Sequence, residues 1–426
     1  MTSDTTAATR GRTPNRWLIL AGGVLVQLAI GAVYAWSVFG AAFQAPESVL
    51  HLSKVQAAVP FEVAIGMIFV GTFIGGRIQD RQGPRTVALV GVVIYAIGII
   101  VSSFARGAGD FWILVLGYGV LSGFGLGLAY IVPIAMLQKW FPDKAGLVTG
   151  LAVGGFGFGA VITAPVANRL LAANPAEPAA AFLPLGIAYL VFGLIGAMTF
   201  ANPPKRVDPS KPVEQTRAAD ATVGAGRDFT QAEALRTPQW FLLMMILALA
   251  VTAGISLISV AKATAVDVAG FSGAAAASLV GILGLFNGGG RILWAAVSDR
   301  IGKMPSFVGI LAIQGICLIA MPHAHSVWLF TLLAALIYTC YGGGFGTMPS
   351  TAGQFFGVTN AGGIYGLMLI AWSIGGVAGP LLTTWLLGAD KNYTLAFTTI
   401  GVIALVSAVI PLITKKPARP TGAVTA

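Results

Sequence analysis

The sequence predicts an all-α membrane protein of twelve transmembrane helices in two pseudo-symmetric six-helix bundles, and three features carry that reading. First, 56% of the 426 residues are hydrophobic and only 9% charged, with mean hydropathy +0.84; a soluble domain carries roughly 25% charged residues. Second, windows of about 20 apolar residues, enough to cross the ~30 Å hydrocarbon layer, recur along the chain. Third, the two halves repeat. "GGRIQDRQGPR" (75–85) returns as "WAAVSDRIGK" (294–303), so that Asp80, Arg81 and Gly83 each match a residue 219 positions later: Asp299, Arg300 and Gly302.

The apolar runs place spans near 17–40, 56–76, 86–105, 111–137, 145–170 and 180–201, then 240–262, 272–297, 305–322, 327–349, 363–387 and 392–414. Between the sixth and seventh runs the polar stretch around "NPPKRVDPSKPVEQTRAADATVGAGRD" is too rich in Pro, Gly and charge to build a core. The expected organisation is a tail at 1–16, a first bundle at 17–201, a linker at 202–239, a second bundle at 240–414 and a tail at 415–426. The polar start, Met1 to Arg16, lacks the short apolar core and cleavage site of a signal peptide. Of the 25 lysines and arginines, nineteen fall on the side of the termini and linker, and Lys54, Arg106, Arg169, Lys262 and Lys391 on the other. That asymmetry puts both termini in the cytoplasm, in the inner membrane of a prokaryote. It also accounts for the net charge of +10 without nucleic acid as a partner. Cys317 and Cys340 lie inside apolar runs and read as core residues; with only His51, His323 and His325 beside them, no metal site, cofactor or catalytic constellation is expected, and the chain does not read as an enzyme.

A second echo, at an offset of 216, links Gly146, Gly150 and Gly159 to Gly362, Gly366 and Gly375. Internal repeats of this kind mark transporters, with the substrate near the midplane between them; a channel or a membrane enzyme can also contain duplications. Within the eighth run, "GLFNGGGRILWAAVSDRIGK" (284–303) places Arg291 among apolar and glycine residues. A charge there costs a few kcal/mol or more and faces a cavity or a partner. No acid lies close in its own helix, since Asp299 is two turns away. Asn287 is one turn before it on the same face, and a guanidinium with an amide beside it is a fork of donors suited to one carboxylate. The competing reading pairs Arg291 with an acid from another helix, Glu62 in the second span first. "GGFGFG" (154–159) lies inside a span and reads as close helix packing, not as a nucleotide loop. The series Gly366, Gly375, Gly379-Pro380 reads as packing plus a bend.

Gly76-x-x-x-Asp80-Arg81-x-Gly83-x-Arg85 resembles the signature loop of the major facilitator superfamily, and its second copy, with Ala295 for a glycine, lies where that family puts one. The resemblance implies a gating role for Asp80, Arg81, Asp299 and Arg300 at the ends of the helices. More of the chain resembles the oxalate/formate antiporter family, related to the monocarboxylate transporters: "NRW" (15–17), "YAW" (34–36), "AYIVPIAMLQKWFPDKAGL" (129–147), "LRTPQWF" (235–241), "LFNGGGR" (285–291) and "MPSTAGQFFG" (348–357). This implies carriage of small organic carboxylates by alternating access, with Arg291 on the substrate carboxylate. It also implies that Tyr130 and Tyr341 line the cavity, with Phe345, Tyr34 and Trp36 as further wall candidates.

The oxalate carrier has a lysine in its eleventh span where this chain has Trp372, and the counterpart of Arg291 at the 219 offset is Thr72. One fixed cation favours a monoanion, because oxalate would keep an uncompensated charge in a low-dielectric site. The expected substrate is therefore a small monocarboxylate, L-lactate first, with pyruvate, formate or acetate behind. Transport is expected to be proton-coupled symport by a monomer, and an oxalate/formate-type antiporter is the alternative. Eukaryotic monocarboxylate carriers place an aspartate where Asn287 stands, so a proton site must lie elsewhere; Asp267 and Glu62 are the candidates.

Overall fold

The computed structural model describes residues 14–204, 227–388 and 390–420. Six of the basic residues used above to orient the chain, Arg10, Arg12, Lys205, Arg206, Lys211 and Arg217, lie outside the described residues, as do both extreme tails and most of the linker. Among the described residues twelve helices are long and apolar enough to cross a bilayer. They are α1 Arg16–Phe43, α2 Val55–Gln82, α3 Pro84–Ser102, α4 Ala108–Trp140, α5 Pro142–Ala173, α6 Pro178–Met198, α7 Pro238–Ala269, α8 Gly273–Ile301, α9 Lys303–His323, α10 Val327–Phe356, α11 Ala361–Leu387 and α12 Tyr393–Ile413. Each overlaps one of the apolar runs.

Local chemistry starts and stops these helices. Ser53 and Gln56 form a reciprocal capping box ahead of α2, and the side chains of Ser272 and Ser326 accept from Ala275 N and Leu329 N to open α8 and α10. At the other end α2 and α8 outrun their apolar runs and stop at Gly83 (φ 93°) and Gly302 (φ 97°), backbone angles that a Cβ disfavours. The repeated glycine is thus the residue that lets each helix end in a tight corner. Asp80, Arg81, Asp299 and Arg300 stand on the last turns of these helices, at the helix ends.

Four helices are interrupted, α12 only by a turn at Ala408 near its end. α1 narrows to a 3₁₀ stretch over Gly31–Ala35, where Gly31 lies against the backbone of Phe156 so closely that a Cβ would sit 2.8 Å from its Cα. α4 widens to a π stretch over Val115–Ser122. α11 breaks at Leu369, between Ala361–Met368 and Ile370–Leu387, and runs unbroken through Gly375 and Gly379-Pro380.

The packing is itself repeated. In the first bundle α2 lies on α4, α1 on α5 and α3 on α6; in the second α8 lies on α10, α7 on α11 and α9 on α12. Two reciprocal pairs join the bundles, α5 with α8 and α2 with α11. Along the first pair a row of glycines sets the spacing. Gly146, Gly150, Gly154 and Gly157 of α5 face Asp299, Ala295, Ile292 and Gly288 of α8, and a Cβ on Gly157 would lie 2.8 Å from Gly288 Cα. Further along α8, at Gly284, Gly281 and Gly273, nothing lies within 4 Å of an added Cβ. The seam is therefore zipped on the side of the linker and parts on the far side, just past residue 288.

The last part of the linker is docked rather than solvated, contrary to its composition. Phe229 is buried against Phe356, their rings edge to face at 5.5 Å. The Asp228 carboxylate accepts from Val358 N (3.0 Å), Thr359 N (3.0 Å) and Thr359 Oγ1 (2.8 Å).

Candidate functional site

Arg291 sits where the seam begins to part, and it is the largest fully buried side chain, 1% exposed. Its guanidinium spans both bundles. Nη1 donates to the Val153 carbonyl of α5 (3.2 Å), Nη2 to the Tyr34 hydroxyl of α1 (3.4 Å), and Nε to Asn287 Oδ1 on its own helix (3.4 Å). All three partners are neutral. None of the ion pairs among the described residues includes Arg291. An arginine so placed carries an uncompensated charge in a low-dielectric site, a state that favours an anionic guest.

Aromatic rings close around it. The guanidinium carbon lies 5.2 Å from the Phe345 ring, 5.5 Å from Phe156 and 6.0 Å from Tyr34, within cation–π range. Phe156 meets Tyr34 at 5.2 Å and Tyr130 at 5.0 Å, both edge to face, and Tyr341 meets Phe345 at 5.3 Å. Trp372 of α11 joins the ring, 5.1 Å from Phe345 and 6.3 Å from both Phe156 and Tyr130. The cage thus draws on α1, α4 and α5 from one bundle and α8, α10 and α11 from the other. It is apolar on its faces and cationic at one point, and the buried Tyr130 hydroxyl in it finds no hydrogen-bond partner; nor does that of Tyr365 on α11.

The residues expected from the sequence fall into three groups. Arg291, Asn287, Tyr34, Tyr130, Tyr341 and Phe345 come together at the cage. Trp36 does not: it packs with Phe39, Phe43, Tyr118 and Phe182 inside the first bundle and donates to the Ala57 carbonyl (2.8 Å). Asp267 and Glu62 also stand apart. Asp267 accepts from Lys391 (2.8 Å) and Tyr393 (2.7 Å) on the far side, and Glu62 is exposed on α2. Phe156 and Tyr365 were not anticipated. Phe156 hides in the glycine stretch read as packing, though those glycines also bring its backbone against Gly31. Tyr365 stands seven residues before Trp372 but across the break at Leu369, so helical spacing alone does not point to it.

On the linker side the repeated aspartates both reach across the seam. Asp80 accepts from Gly363 N (2.7 Å) and Gly362 N (3.3 Å) at the start of α11, with Lys139 at 3.7 Å. Asp299 accepts from Leu147 N (2.8 Å) at the start of α5 and pairs with Lys303 (2.7 Å). Each caps the N-terminus of the opposing bundle's fifth helix, where unpaired N–H groups and the helix dipole welcome a carboxylate. Arg81 and Arg300 beside them are exposed.

A family model described as the Major Facilitator Superfamily matches residues 25–380. The chain is 27% identical over 378 residues to the oxalate:formate antiporter of Oxalobacter formigenes, covering 87% of this chain and 85% of that one. It is 25% identical over 514 residues to apicoplast pyruvate carrier 1 of Toxoplasma gondii, covering 95% and 90%. Among solved structures, the proton:xylose symporter XylE bound to 6-bromo-6-deoxy-D-glucose superposes with a TM-score of 0.70 at 17% identity, covering 94% of this chain and 96% of that one, a likeness of fold alone. With its twelve spans, repeated bundles and duplicated seam aspartates, the chain belongs to the major facilitator superfamily of multi-pass membrane transporters.

Proposed function

We propose that this transporter carries small monocarboxylates, L-lactate first and pyruvate, formate and acetate behind, as a monomer working by alternating access in a prokaryotic inner membrane with both termini cytoplasmic. The observation that carries the reading is Arg291: a buried guanidinium whose protein partners are all neutral, enclosed by aromatic rings. An anion docking there neutralises the site, and the rings enclose a short carbon skeleton. A second carboxylate would find the Trp372 indole where it needs a cation, which argues against oxalate. The seam, closed towards the linker and parted beyond residue 288, corresponds on this reading to a carrier facing outward.

Proton symport is the coupling we favour, with Asp267 or Glu62 as the titrating group. Exchange of one carboxylate for another is the second reading, and the neutral partners of Arg291 favour it, because exchange requires no titrating group at the cage. Purified protein in liposomes separates these. Under the proposal, lactate accumulates when an inward pH gradient is imposed, oxalate does not, and Arg291→Ala abolishes uptake. Strong oxalate uptake without lactate uptake would overturn the substrate. Lactate uptake indifferent to the gradient but accelerated by internal lactate would replace symport with exchange.

A further inference from the structure

Two of the interrupted helices meet at their irregular turns. Tyr118 lies on the π stretch of α4, and its hydroxyl donates to the Val33 carbonyl on the 3₁₀ stretch of α1 (3.3 Å). That carbonyl also accepts from Trp36 N, the bond that closes the 3₁₀ turn, so Tyr118 takes its second lone pair. The Tyr118 side chain is buried, its ring 4.2 Å from Trp36 and 5.7 Å from Phe182. The Trp36 indole in turn donates to the Ala57 carbonyl of α2 (2.8 Å). The bend in α1 is thus tied to α2 and α4 at the residues on either side of Tyr34, whose hydroxyl accepts from Arg291 Nη2 (3.4 Å).

The winding of this stretch decides where Tyr34 points. A 3₁₀ helix turns about 120° per residue and an α-helix about 100°. Ordinary α-helical winding from Gly31 to Tyr34 would therefore swing the ring by roughly 60°, out of reach of the guanidinium. Tyr34 and the Val153 carbonyl are the two groups of the first bundle that hydrogen-bond Arg291, so its direction bears on how the fork is presented. We propose that Tyr118, with the Trp36 ring stacked on it, is a positioning residue of the carboxylate site: it holds the 3₁₀ winding of α1 through the Val33 carbonyl and so aims Tyr34 at Arg291. This rests on Arg291 receiving the substrate carboxylate. The π stretch has a use on this account, because a widened turn re-aims the side chains it carries.

Tyr118→Phe keeps the ring against Trp36 and Phe182 and removes only the hydroxyl, so the variant is expected to fold as the parent does. Trp36→Phe, which removes the indole bond to Ala57, probes the same bend from its other side. L-Lactate binding is measured on purified wild type, Tyr118→Phe, Trp36→Phe, Tyr34→Phe and each of the first two combined with Tyr34→Phe, with thermal unfolding as the check on integrity. Tyr118→Phe and Tyr34→Phe should each weaken binding about three- to tenfold. The double variant should bind no more weakly than Tyr34→Phe alone, because Tyr118 acts through the Tyr34 hydroxyl, whereas a general loss of structure would multiply with it. Trp36→Phe should behave in the same way, and its cycle decides the matter if Tyr118→Phe does not fold. Wild-type affinity in the single variants, or a fully multiplicative loss in the doubles, overturns the positioning role and leaves the docking role of Arg291 intact. Undiminished binding by Arg291→Ala overturns the underlying reading instead.

Discussion

Both bundles supply a latch at the seam, but only the second supplies a charge to the cage they build together. At the linker end each offers an aspartate to the start of the other's fifth helix, Asp80 to α11 and Asp299 to α5. Eight residues earlier on each helix the symmetry fails. Arg291 donates across the seam to the Val153 carbonyl and carries a charge; Thr72, its counterpart, donates across the seam to the Gly366 carbonyl (3.1 Å) and carries none. Duplication suits the latch, because closing a seam needs a hold on both sides of the pseudo-twofold axis. A single small anion needs only one guanidinium, and a second would remain uncompensated when the first was filled.

The sharpest way to break this comparison is to change the matched pair. Arg291→Ala is expected to lower carboxylate uptake more than a hundredfold, whereas Thr72→Val, nearly the same shape, forfeits one neutral hydrogen bond of about 1 kcal/mol and should cost no more than a few-fold. Comparable losses from both would mean that the site is as symmetric as the latch. The next effect lies in the latch itself. Asp80→Ala removes two charge-assisted bonds across the seam and Asp299→Ala removes one, at roughly 1.5–3 kcal/mol each. Spin-label distances between the far ends of α5 and α8 should therefore shift towards the opposite state in both, and further in Asp80→Ala. Equal shifts would show that the copies are equivalent.

Smaller again is the contrast along α5 and α8. Gly157→Ala would place a methyl 3.4 Å from Arg291 Nε and closer still to Gly288, an overpacking of about 1–3 kcal/mol that should slow transport and lower the melting temperature. Gly281→Ala meets nothing within 4 Å and should leave both unchanged or gain up to about 1 kcal/mol of helix propensity. The smallest effect is a pH effect at the docked linker. The Arg227 guanidinium and the Thr230 backbone hold the Glu233 carboxyl at about 2, below its ordinary value. Its folded value being the lower one, the contact is at full strength above the ordinary carboxylate range and fades only as pH falls towards about 2. Because the group is solvent-facing, Glu233→Gln should move the melting temperature little and equally at pH 5 and pH 7.

The architecture was legible because lipid imposes a length and a composition on every span, and because the repeat at 219 residues fixed the halves. The charge of Arg291 and the amide of Asn287 were legible for a related reason: in a bilayer a polar side chain stands out. What the pattern concealed were interruptions and apolar walls. The 3₁₀ stretch at Gly31–Ala35 that carries Tyr34, and the π stretch at Val115–Ser122, arise from close approach of neighbouring helices and leave no mark on hydropathy. Phe156 is an ordinary apolar letter in an apolar run; only the fold brings it to a guanidinium. Tyr365 was concealed twice, as one more aromatic residue and behind a break at Leu369 that shifts the face of α11.

Arg291 has five N–H groups to give, and its three bonds leave one on each terminal nitrogen. A carboxylate asks for two. One passenger can therefore board without untying either bond that links the bundles, and a second cannot. On the proposed reading, the count of free donors at Arg291 matches a single carboxylate.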